Sequence, residues 1–313
     1  MHDTLQASPD QHATVAIAQS ARPRLLHLAK EGCLEISCPT CGPAAHRTPY
    51  GRRSGYDLSR CNSCGLVFLN SVGPSIAHEF FDDVTSDFKE SPDAIEYWSF
   101  PALYDRYQRV FEGYFIERWN RLRAAHQDIR SLVDIGCGYG FFLRHVQGEV
   151  PKVEGIEIDG EAAGYAREHF DLAVSETPIE RYDTQQPLDC MVMCDVLEHL
   201  SAPQLVLRRC RDMLAPGGIL FLQVPNHVGF RLPRGASWGL PHHIWQFNPG
   251  SLRRLVTSCG LVPEDCYTGV LGVIGAYERG GPTMKERLEW FLARKLGLGN
   301  RLMLIARKPL NGI

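Results

Sequence analysis

Apolar residues change their spacing near residue 127, and this change separates two kinds of predicted element. From Leu103 to Leu122 they recur every three or four positions, which predicts one long helix with a single buried face. After that helix, short apolar runs alternate with segments of helical spacing. Strands are predicted at Ser131–Ile135, Val153–Ile158, Leu188–Cys194 and Ile219–Val224, and helices at Phe141–Gln147, Glu161–His169 and Ala202–Leu214. This alternation predicts a parallel sheet with helices on both faces.

The C-terminal third departs from the alternation. Residues 226–245 form a long segment rich in Gly, Pro and aromatic residues, and loops of that length are usually functional or disordered. A helix is predicted at Ser251–Cys259, and the last two strands, Leu261–Thr268 and Arg301–Arg307, are separated by a helix at Met284–Leu296. The predicted fold class is therefore α/β.

The chain divides into four predicted regions. Residues 1–32 show little periodicity and are predicted to be a flexible leader. Residues 33–72 are rich in cysteine and contain too few apolar residues to build a core alone, so we predict a small module. Residues 73–126 form a helical connection that ends in the long helix, and residues 127–313 form the main α/β domain.

Composition and charge narrow the classes of partner. The chain has 313 residues, of which 44% are hydrophobic and 22% charged, an ordinary globular balance. The formal charge of −3 gives no sign of binding to a polyanion, so nucleic acid is a disfavoured partner. The longest apolar stretch, Val270–Tyr277, is too short to cross a membrane, and the start of the chain lacks a signal-peptide pattern.

Cysteine usage indicates a reducing compartment. Eleven cysteines is an odd number, and four of them form two CxxC pairs. A secreted disulfide framework normally has an even number in a much shorter chain. We therefore expect a cytoplasmic protein.

A glycine-rich segment follows the first strand of the α/β region. In Gly136-Cys137-Gly138-Tyr139-Gly140, the glycines allow a sharp turn and a close approach of a ligand to the backbone. Glu157 follows at the end of the next predicted strand, where a carboxylate accepts hydrogen bonds from ribose hydroxyls. The order strand, glycines, helix, strand, acid favours an adenosine-containing cofactor over a tight turn without a ligand.

The details of this segment favour S-adenosylmethionine over NAD. The dinucleotide fingerprint is GxGxxG, whereas this chain has GxGxG, with Phe141 where the third glycine would fall. The sequence contains no Gly-Lys-Ser/Thr that would cradle a phosphate. Asp134, at the strand end, suits a positively charged methionine moiety better than a pyrophosphate.

From about residue 100 to the C-terminus, the chain resembles class I S-adenosylmethionine-dependent methyltransferases. The resemblance rests on the segments VDIGCGYG, GIEID (Gly155–Asp159), MVMCDVLEHL (Met191–Leu200) and LAPGGILFLQVPN (Leu214–Asn226). It is similar to the subgroup with the ubiquinone-pathway O-methyltransferases and many enzymes that act on sugars or small biosynthetic metabolites. It implies a Rossmann-like sheet of seven strands, mostly parallel, with a reversed final hairpin.

The resemblance also implies which residues contact the cofactor. Those around its methionine part would be Asp134, Gly136, Cys137, Gly138 and Gly140. Glu157 would hold the ribose and Ile158 would lie against the adenine, while Cys194 and Asp195 would lie beside the cofactor in the turn after the fourth strand. From the long helix and the connection before it, the aromatic residues Tyr97, Trp98, Tyr104 and Tyr107 are candidates to cap the cofactor, although Tyr107 fits core packing better.

Two CxxC pairs predict a structural zinc site. Cys38 and Cys41 are separated by 19 residues from Cys61 and Cys64, and two such knuckles form a closed tetrahedral site of four sulfurs. Zinc ligation can supply roughly 10–16 kcal/mol to a segment with little core of its own. This part of the chain resembles a zinc-ribbon-like extension of many methyltransferases of the same subgroup. Disulfide pairing is the alternative, and Cys33 and His46 are close enough to substitute as ligands.

Two histidines are candidate acid–base residues. His243 lies on a Pro-x-His-x-x-x-Phe segment that recurs in the resembled subgroup, which implies a position beside the acceptor pocket. A neutral imidazole there would remove the acceptor's proton. His199, in Val-Leu-Glu-His-Leu, is the second candidate, and for each histidine a structural role is the alternative. Trp238, Trp245 and Phe230 are expected to line the pocket or to pack the loop onto the sheet.

The sequence therefore predicts a methyltransferase for a small-molecule acceptor, a sugar or a biosynthetic metabolite. An oxygen acceptor fits a histidine base best, and carbon and nitrogen acceptors remain open. A ribosomal RNA methyltransferase is an alternative, disfavoured because residues 33–72 hold only four arginines against two acids and because Cys-Asp-Val-Leu replaces the Asn/Asp-Pro-Pro-aromatic motif. A non-catalytic scaffold and a nicotinamide oxidoreductase are further alternatives. The sequence leaves the oligomeric state open.

Overall fold

A computed structural model describes residues 26–28, 34–72, 100–229, 238–271 and 280–310, which form 14 strands and six helices. The predictions at Cys33, Tyr97, Trp98 and Phe230, and most of the predicted leader, lie outside the described residues. The N-terminal module contains six strands. These are β1 (Leu26–Leu28), β2 (Leu34–Ile36), β3 (Arg47–Arg53), β4 (Tyr56–Cys61), β5 (Val67–Leu69) and β6 (Ser71–Val72).

The remaining elements alternate as the sequence predicts. In chain order they are α1 (Phe100–Ala125), β7 (Ser131–Ile135), α2 (Phe141–Val146), β8 (Lys152–Ile156), α3 (Gly160–Phe170), β9 (Ala173–Ser175), β10 (Leu188–Cys194), α4 (Pro203–Met213), β11 (Leu214–Pro225), β12 (Trp245–Gln246), α5 (Pro249–Ser258), β13 (Val262–Gly269), α6 (Met284–Lys295) and β14 (Arg301–Arg307). None of these helices is long and apolar enough to span a membrane.

Seven strands form the central sheet, in the order β13-β14-β11-β10-β7-β8-β9. The pairs from β11 to β9 are parallel, and β14 runs antiparallel to both β11 and β13. The fold is therefore α/β with a mostly parallel sheet and a reversed final strand, which confirms the predicted fold class.

The central strands bury side chains on both faces, as their nearly continuous apolar runs require. Val133 and Met191 point to the face covered by α4 and α5, while Leu132 and Val192 point to the face covered by α1, α2 and α3. The amphipathic face of α1 is buried on the second side through four residues three or four positions apart, Phe111, Phe115, Trp119 and Leu122. The helix is kinked at Tyr107, so the axis of its first two turns differs in direction from the axis of the rest of the helix.

The N-terminal module is joined to the main domain by backbone pairing. Strand β12 pairs antiparallel with β5, so the module's main sheet has the order β12-β5-β4-β3. Phe68 of β5 and Trp245 of β12 are both buried and belong to the same hydrophobic cluster as one face of the central sheet. In addition, the side chain of Asn248, which caps α5, donates a hydrogen bond to the carbonyl of Gly65 at 3.1 Å. The segment after the long loop is thus part of the module's sheet.

The structure differs from the sequence-based elements in four places. Strands β2 to β6 lie in a module for which the sequence predicted no strands. Strand β1 lies within the predicted leader and pairs antiparallel with β2. The short strands β9 and β12 were not predicted, because segments of three and two residues carry no periodicity. Strand β11 begins at Leu214, five residues before the predicted strand Ile219–Val224, and its pairing to β10 shifts between Leu214 and Ile219. Helix α1 extends three residues beyond the predicted Leu103–Leu122 at each end, and the other boundaries differ by at most two residues.

Candidate active site

The carboxyl ends of β7, β8 and β10 meet at one edge of the central sheet. Strand β7 has β8 on one side and β10 on the other, so the chain order reverses at this point, and ligands bind at such points in open α/β sheets. The glycine-rich loop follows β7, Glu157 follows β8 and Asp195 follows β10. The structure therefore brings predicted residues from three separate segments together.

The loop between β7 and α2 requires its glycines. Gly136, Gly138 and Gly140 have φ angles of 71°, 52° and 79°, in the left-handed region that side chains disfavour. A Cβ atom on Gly136 would lie 2.3 Å from Cγ2 of Val196, and one on Gly140 would lie 2.8 Å from Cβ of Ala166. The loop is therefore a bare-backbone cradle that a side chain at either position would disrupt.

Asp134 lies beneath this cradle as a buried carboxyl group that lacks a full set of hydrogen bonds. Only 4% of the residue is exposed, and its Oδ1 atom has no hydrogen-bond partner among the described residues. Burial raises the pKa of Asp134 to about 7, the nearby charge of Glu157 adds to this, and the guanidinium of Arg118 opposes it. A cationic ligand at this point would supply the missing hydrogen bonds and favour the ionised form.

Glu157 is oriented by the backbone. Its Oε2 atom accepts a hydrogen bond from the Gly138 N–H at 2.8 Å, and Oε1 accepts one from the Asp159 N–H at 2.9 Å. Burial raises the pKa of Glu157, and these backbone hydrogen bonds partly offset the increase. A carboxylate can accept about four hydrogen bonds, so both oxygens retain capacity for the hydroxyls of a ligand.

Other predicted cofactor residues lie around the same edge. Ile158, next to Glu157, is 42% exposed, an unusual position for a large apolar side chain at the end of a buried strand. Tyr104 of α1 stacks on Phe141, the first residue of α2, with ring centroids 4.0 Å apart. Cys137 packs beside Gly155, where a Cβ atom would approach its sulfur to 2.5 Å. Tyr104 is thus held against the helix that begins directly after the glycine loop.

Asp195 is fixed in the turn after β10 by two other strands. Its φ angle of 54° is left-handed, which is uncommon for a residue with a side chain. Gln223 of β11 holds it twice, because the Asp195 N–H donates to the Gln223 carbonyl at 2.8 Å and Gln223 Nε2 donates to Asp195 Oδ2 at 2.6 Å. Arg301 of β14 forms an ion pair with Oδ1 at 2.9 Å. These contacts hold the carboxylate in one orientation.

A second cluster, consisting of Glu198, His199 and His243, lies beyond Asp195. The two histidine rings contact each other edge to face, with centroids 4.6 Å apart. Glu198 is fully buried, and neither carboxyl oxygen has a hydrogen-bond partner among the described residues. Nε2 of His199 lies 4.0 Å from Oε1 of Glu198. One nitrogen from each ring and one oxygen of Glu198 lie within 4.8 Å of one another, so the set is also able to ligate a metal ion.

Both histidines are held neutral by burial. Burial lowers the pKa of His199 to about 4, and it lowers the pKa of His243 well below the usual value, with His199 adding to the effect. Nδ1 of His199 lies 3.1 Å from the His242 carbonyl. A carbonyl oxygen only accepts hydrogen bonds, so Nδ1 carries the proton and Nε2 carries the lone pair in the neutral ring.

His243 is positioned by the backbone before it. Its N–H donates to the Gly239 carbonyl at 2.6 Å, and its ring hydrogen-bonds to the backbone of Trp238. A Cβ atom on Gly239 would lie 2.1 Å from the imidazole, so only glycine permits this contact. Gln246 connects the ends of the turn, because its Nε2 donates to the carbonyls of Trp238 and His243. Trp245, in contrast, is buried and packs on Phe68, which favours its predicted core role.

The four predicted zinc ligands converge in the module. The sulfurs of Cys38, Cys41, Cys61 and Cys64 lie within 4.8 Å of one another, and those of Cys38 and Cys64 are 3.4 Å apart. Four sulfurs at about 2.3 Å from one ion would be about 3.8 Å apart, so the spacing fits a tetrahedral site. The hydrogen bond between Cys38 and Cys64 lowers the pKa of Cys64 and raises the pKa of Cys38, so the two thiols share one proton readily and the second is lost with difficulty until a cation is present. His46 is exposed and lies outside this cluster.

Several residues of the site escaped the sequence analysis. Gln223, Arg301 and Glu198 were not singled out, although Gln223 is the only polar side chain in the run Ile219–Val224. Glu198 is likewise a charged residue inside the apolar sequence Val-Leu-Glu-His-Leu. An isolated polar residue in a buried run is a usable signal, because burial of a polar group is costly unless it serves a purpose. Arg301 carried no such signal, since it begins an ordinary strand.

Comparison with known proteins identifies the kind of domain. The family described as "Methyltransferase domain" matches residues 104–264, about half of the chain. A ubiquinone biosynthesis O-methyltransferase from Salmonella enteritidis is 24% identical over 171 residues, which cover 51% of this chain and 68% of that protein.

Two solved structures illustrate the fold. The plantazolicin methyltransferase BpumL, in complex with SAH, superposes with a TM-score of 0.50 at 15% identity, covering 75% of this chain and 94% of that one. An S-adenosylmethionine-dependent methyltransferase from Clostridium acetobutylicum gives a TM-score of 0.49 at 10% identity, covering 68% of this chain and 99% of that one. At these identities, BpumL shows a shared fold only.

The raised pKa of Asp134 predicts how stability depends on pH. The folded pKa of about 7 exceeds the ordinary value of 3.8 for an aspartic acid, so the ligand-free protein binds this proton more tightly than the unfolded chain does. The contribution of Asp134 to stability must therefore fall as pH rises from about 4 to 7, and Asp134→Asn should remove that part of the loss. At pH 8 the variant should be more stable than the wild type by up to about 4 kcal/mol, and the difference should shrink towards pH 5.

Urea unfolding of both proteins at several pH values measures this difference. Asp128→Asn, which changes an exposed carboxylate, is the matched control and should leave the pH profile unchanged. Buried acids that do not interact with Asp134 are common to wild type and variant, so their contributions cancel in the comparison. Identical pH profiles for wild type and Asp134→Asn would show that Asp134 does not carry the raised pKa.

Proposed function

This chain belongs to the methyltransferase-domain family, and we propose that it transfers the methyl group of S-adenosylmethionine to an oxygen atom of a small-molecule acceptor. One observation carries the proposal: Asp134 offers a buried carboxyl oxygen without a hydrogen-bond partner among the described residues, beneath a glycine cradle and beside Glu157. When bound, this cofactor supplies a methyl group on a positively charged sulfur. The remaining steps belong to residues of the chain.

The cofactor side of the site divides into three roles. Asp134 receives the cationic methionine part, because its Oδ1 atom needs donors and a nearby positive charge lowers its pKa again. Glu157 receives the ribose hydroxyls with the remaining capacity of its two oxygens. Ile158 offers an exposed apolar surface for the adenine, and Tyr104, packed on α2, closes the side towards α1. Cys194 and Asp195 lie at the end of β10 on the acceptor side.

On the acceptor side, we assign the base to His243. Burial keeps its ring neutral near pH 7, so a nitrogen lone pair is available when the acceptor oxygen attacks the methyl group. The proton would move from the acceptor to this ring. Glu198, fully buried with no hydrogen-bond partner among the described residues, lies where it would stabilise the resulting imidazolium through the contact of His199 with His243. His199 is the positioning residue in this arrangement.

The small-molecule acceptor is supported by the relatives and by the composition. The matching curated relative is named as an O-methyltransferase of ubiquinone biosynthesis, which acts on a small molecule. The formal charge of −3 offers no general attraction for a nucleic acid. None of the ten described cysteines forms a disulfide, which supports a cytoplasmic location.

We also propose that the four cysteines of the module bind one structural zinc ion. All four ligand positions would be filled by Cys38, Cys41, Cys61 and Cys64, so the ion would have no open position for chemistry. The module has little core of its own beyond the cluster it shares with the main domain. Zinc would therefore stabilise the sheet that contains β12, and with it the segment that carries His243.

Replacement of His243 tests the proposed base. His243→Asn should lower methyl transfer by about 10²–10⁴ while leaving the affinity for S-adenosylmethionine unchanged, because the ring acts on the acceptor and not on the cofactor. The assay incubates purified protein with isotopically labelled S-adenosylmethionine and a metabolite extract, and mass spectrometry detects products heavier by one CH₂ unit. His169→Asn, on the exposed face of α3, is the matched control.

Two outcomes would contradict this assignment. Full activity of His243→Asn would show that the proton leaves by another route. Loss of wild-type activity on treatment with a chelator that leaves the cysteine site loaded would show that Glu198, His199 and His243 ligate a catalytic metal ion. In that case the histidines would be ligands and not bases.

Elemental analysis tests the zinc site. The purified protein should contain one zinc ion per chain, and Cys61→Ser should lose it and unfold at a much lower temperature, since zinc ligation is worth roughly 10–16 kcal/mol. Cys266→Ser, in β13, changes a thiol outside the cluster and should keep the metal. A metal-free wild-type protein, or disulfides among the four cysteines in the native protein, would refute the site.

A further inference from the structure

The side chains of strand β3 do not contribute to the core of the module. All seven residues, Arg47–Arg53, are exposed, although the neighbouring strand β4 buries three of its six. Two of the exposed side chains, Tyr50 and Arg53, nevertheless reach across to residues of the main domain. We infer that Tyr50 and Arg53 form one wall of the acceptor site, and that Arg53, lying over Trp238, binds a carboxylate or phosphate group of the acceptor. The inference rests on the proposed function and adds the chemical class of its substrate.

Trp238 connects Arg53 to the proposed base. Its backbone hydrogen-bonds to the ring of His243, and its neighbour Gly239 packs directly against that ring. On its other side, the indole ring lies below the guanidinium of Arg53, with Cζ 5.6 Å from the ring centroid. A single residue, Trp238, therefore contacts both Arg53 and the proposed base His243, although Arg53 and His243 are 190 positions apart in the chain.

An aromatic cluster holds this wall together. Tyr50 Oη and His227 Nε2 are 3.0 Å apart and form a hydrogen bond. The rings of His227 and Trp238 meet edge to face, with centroids 5.0 Å apart, and those of Tyr50 and Trp238 are 6.4 Å apart. His227 follows directly after Asn226, just beyond β11, so the cluster joins β3 to the acceptor side of the central sheet. Packed rings of this kind restrict side-chain motion and present a preformed surface.

Arg47 and Arg52, the other arginines of strand β3, each have an acidic partner, whereas Arg53 has none among the residues that the structure describes. Arg47 lies 3.8 Å from Glu35 and Arg52 lies 3.9 Å from Asp57. Among the residues that the structure describes, no carboxylate lies within ion-pair distance of Arg53. One nitrogen, Nη1, donates to the carbonyl of Arg52 at 2.8 Å, which fixes the guanidinium and leaves its other N–H groups available. A guanidinium presents these donors in a planar fork that matches carboxylate and phosphate oxygens.

The position of β3 is rigid relative to His243. Strands β3, β4, β5 and β12 are hydrogen-bonded in one sheet, and β12 begins two residues after His243. The same backbone pairing therefore fixes the position of Arg53 relative to His243. An acceptor bound at Arg53 and Trp238 by its anionic group would extend towards the histidines, and such positioning is a large part of the rate of a transfer reaction.

The experiment compares two neighbouring arginines with different charge balance. A metabolite extract is separated by anion exchange into an unbound fraction and a bound, anionic fraction, and each is incubated with labelled S-adenosylmethionine and wild-type, Arg53→Gln or Arg52→Gln protein. Methylated product should come from the anionic fraction. At low extract concentration Arg53→Gln should lower its rate of formation by about ten- to a hundredfold, the effect of losing one charge-assisted interaction. The rate should recover at high extract concentration, because the loss is in binding.

The controls separate the possible results. Arg52→Gln removes the same charge from the adjacent residue and should stay within about twofold of wild type, since an exposed ion pair contributes little. Arg53→Lys should recover part of the lost rate, and the affinity for S-adenosylmethionine should be the same in all variants. Treatment of the anionic fraction with a phosphatase should abolish product formation if the acceptor carries a phosphate monoester, and should leave it unchanged for a carboxylate.

Three results would overturn the inference. Product from the unbound fraction alone, or equal losses for Arg52→Gln and Arg53→Gln, would refute the anion site while leaving the methyltransferase activity intact. A fall in the maximal rate of Arg53→Gln without recovery at high extract concentration would assign Arg53 to folding or to the chemical step. An absence of methylated product from every fraction would refute the proposed acceptor class together with this inference.

Discussion

The burial of two carboxyl groups at the ends of adjacent parallel strands is the constraint around which this structure is arranged. Asp134 ends β7, Glu157 follows β8, and both are almost inaccessible to water. Burial raises the pKa of both, so the ligand-free fold carries a cost that the backbone hydrogen bonds to Glu157 only partly offset. A ligand that is cationic near Asp134 and carries hydroxyl groups near Glu157 removes that cost. The site is therefore less stable empty than filled, which is common in binding sites.

The position of the proposed base depends on the N-terminal module. Strand β12 belongs to the module's sheet by pairing, yet it lies in the segment that presents His243. The cysteine cluster, the exposed strand β3 and the proposed base are thus parts of one rigid unit. A zinc ion at the proposed cysteine site would have an indirect role in function, because its loss would release the segment that holds the imidazole.

The sequence predicted the parts of the molecule whose structure is determined by residues close together in the chain. The glycines of the loop need left-handed backbone angles, Glu157 follows a strand at a fixed spacing, and the CxxC pairs need only a turn each, so all were visible as patterns. The aromatic cluster of Tyr50, His227 and Trp238 was not visible, since its members are up to 188 positions apart and meet only through the pairing of β5 with β12. Arg301 was missed because its contact with Asp195, 106 positions away, depends on the pairing of β14 with β11. Long-range pairing of short strands is the information that periodicity does not contain.

Calorimetric titration with S-adenosylmethionine tests the central claim most directly, with wild type, Glu157→Gln and Glu161→Gln compared under one set of conditions. The wild type should bind one equivalent per chain, and Glu157→Gln should weaken that binding by about tenfold or more, because a neutral amide cannot accept hydrogen bonds from two backbone N–H groups and two hydroxyls as a carboxylate does. Glu161→Gln, in the first turn of α3 and exposed, should bind as the wild type does. Absence of binding by the folded wild-type protein, or equal affinity in all three, would contradict the account.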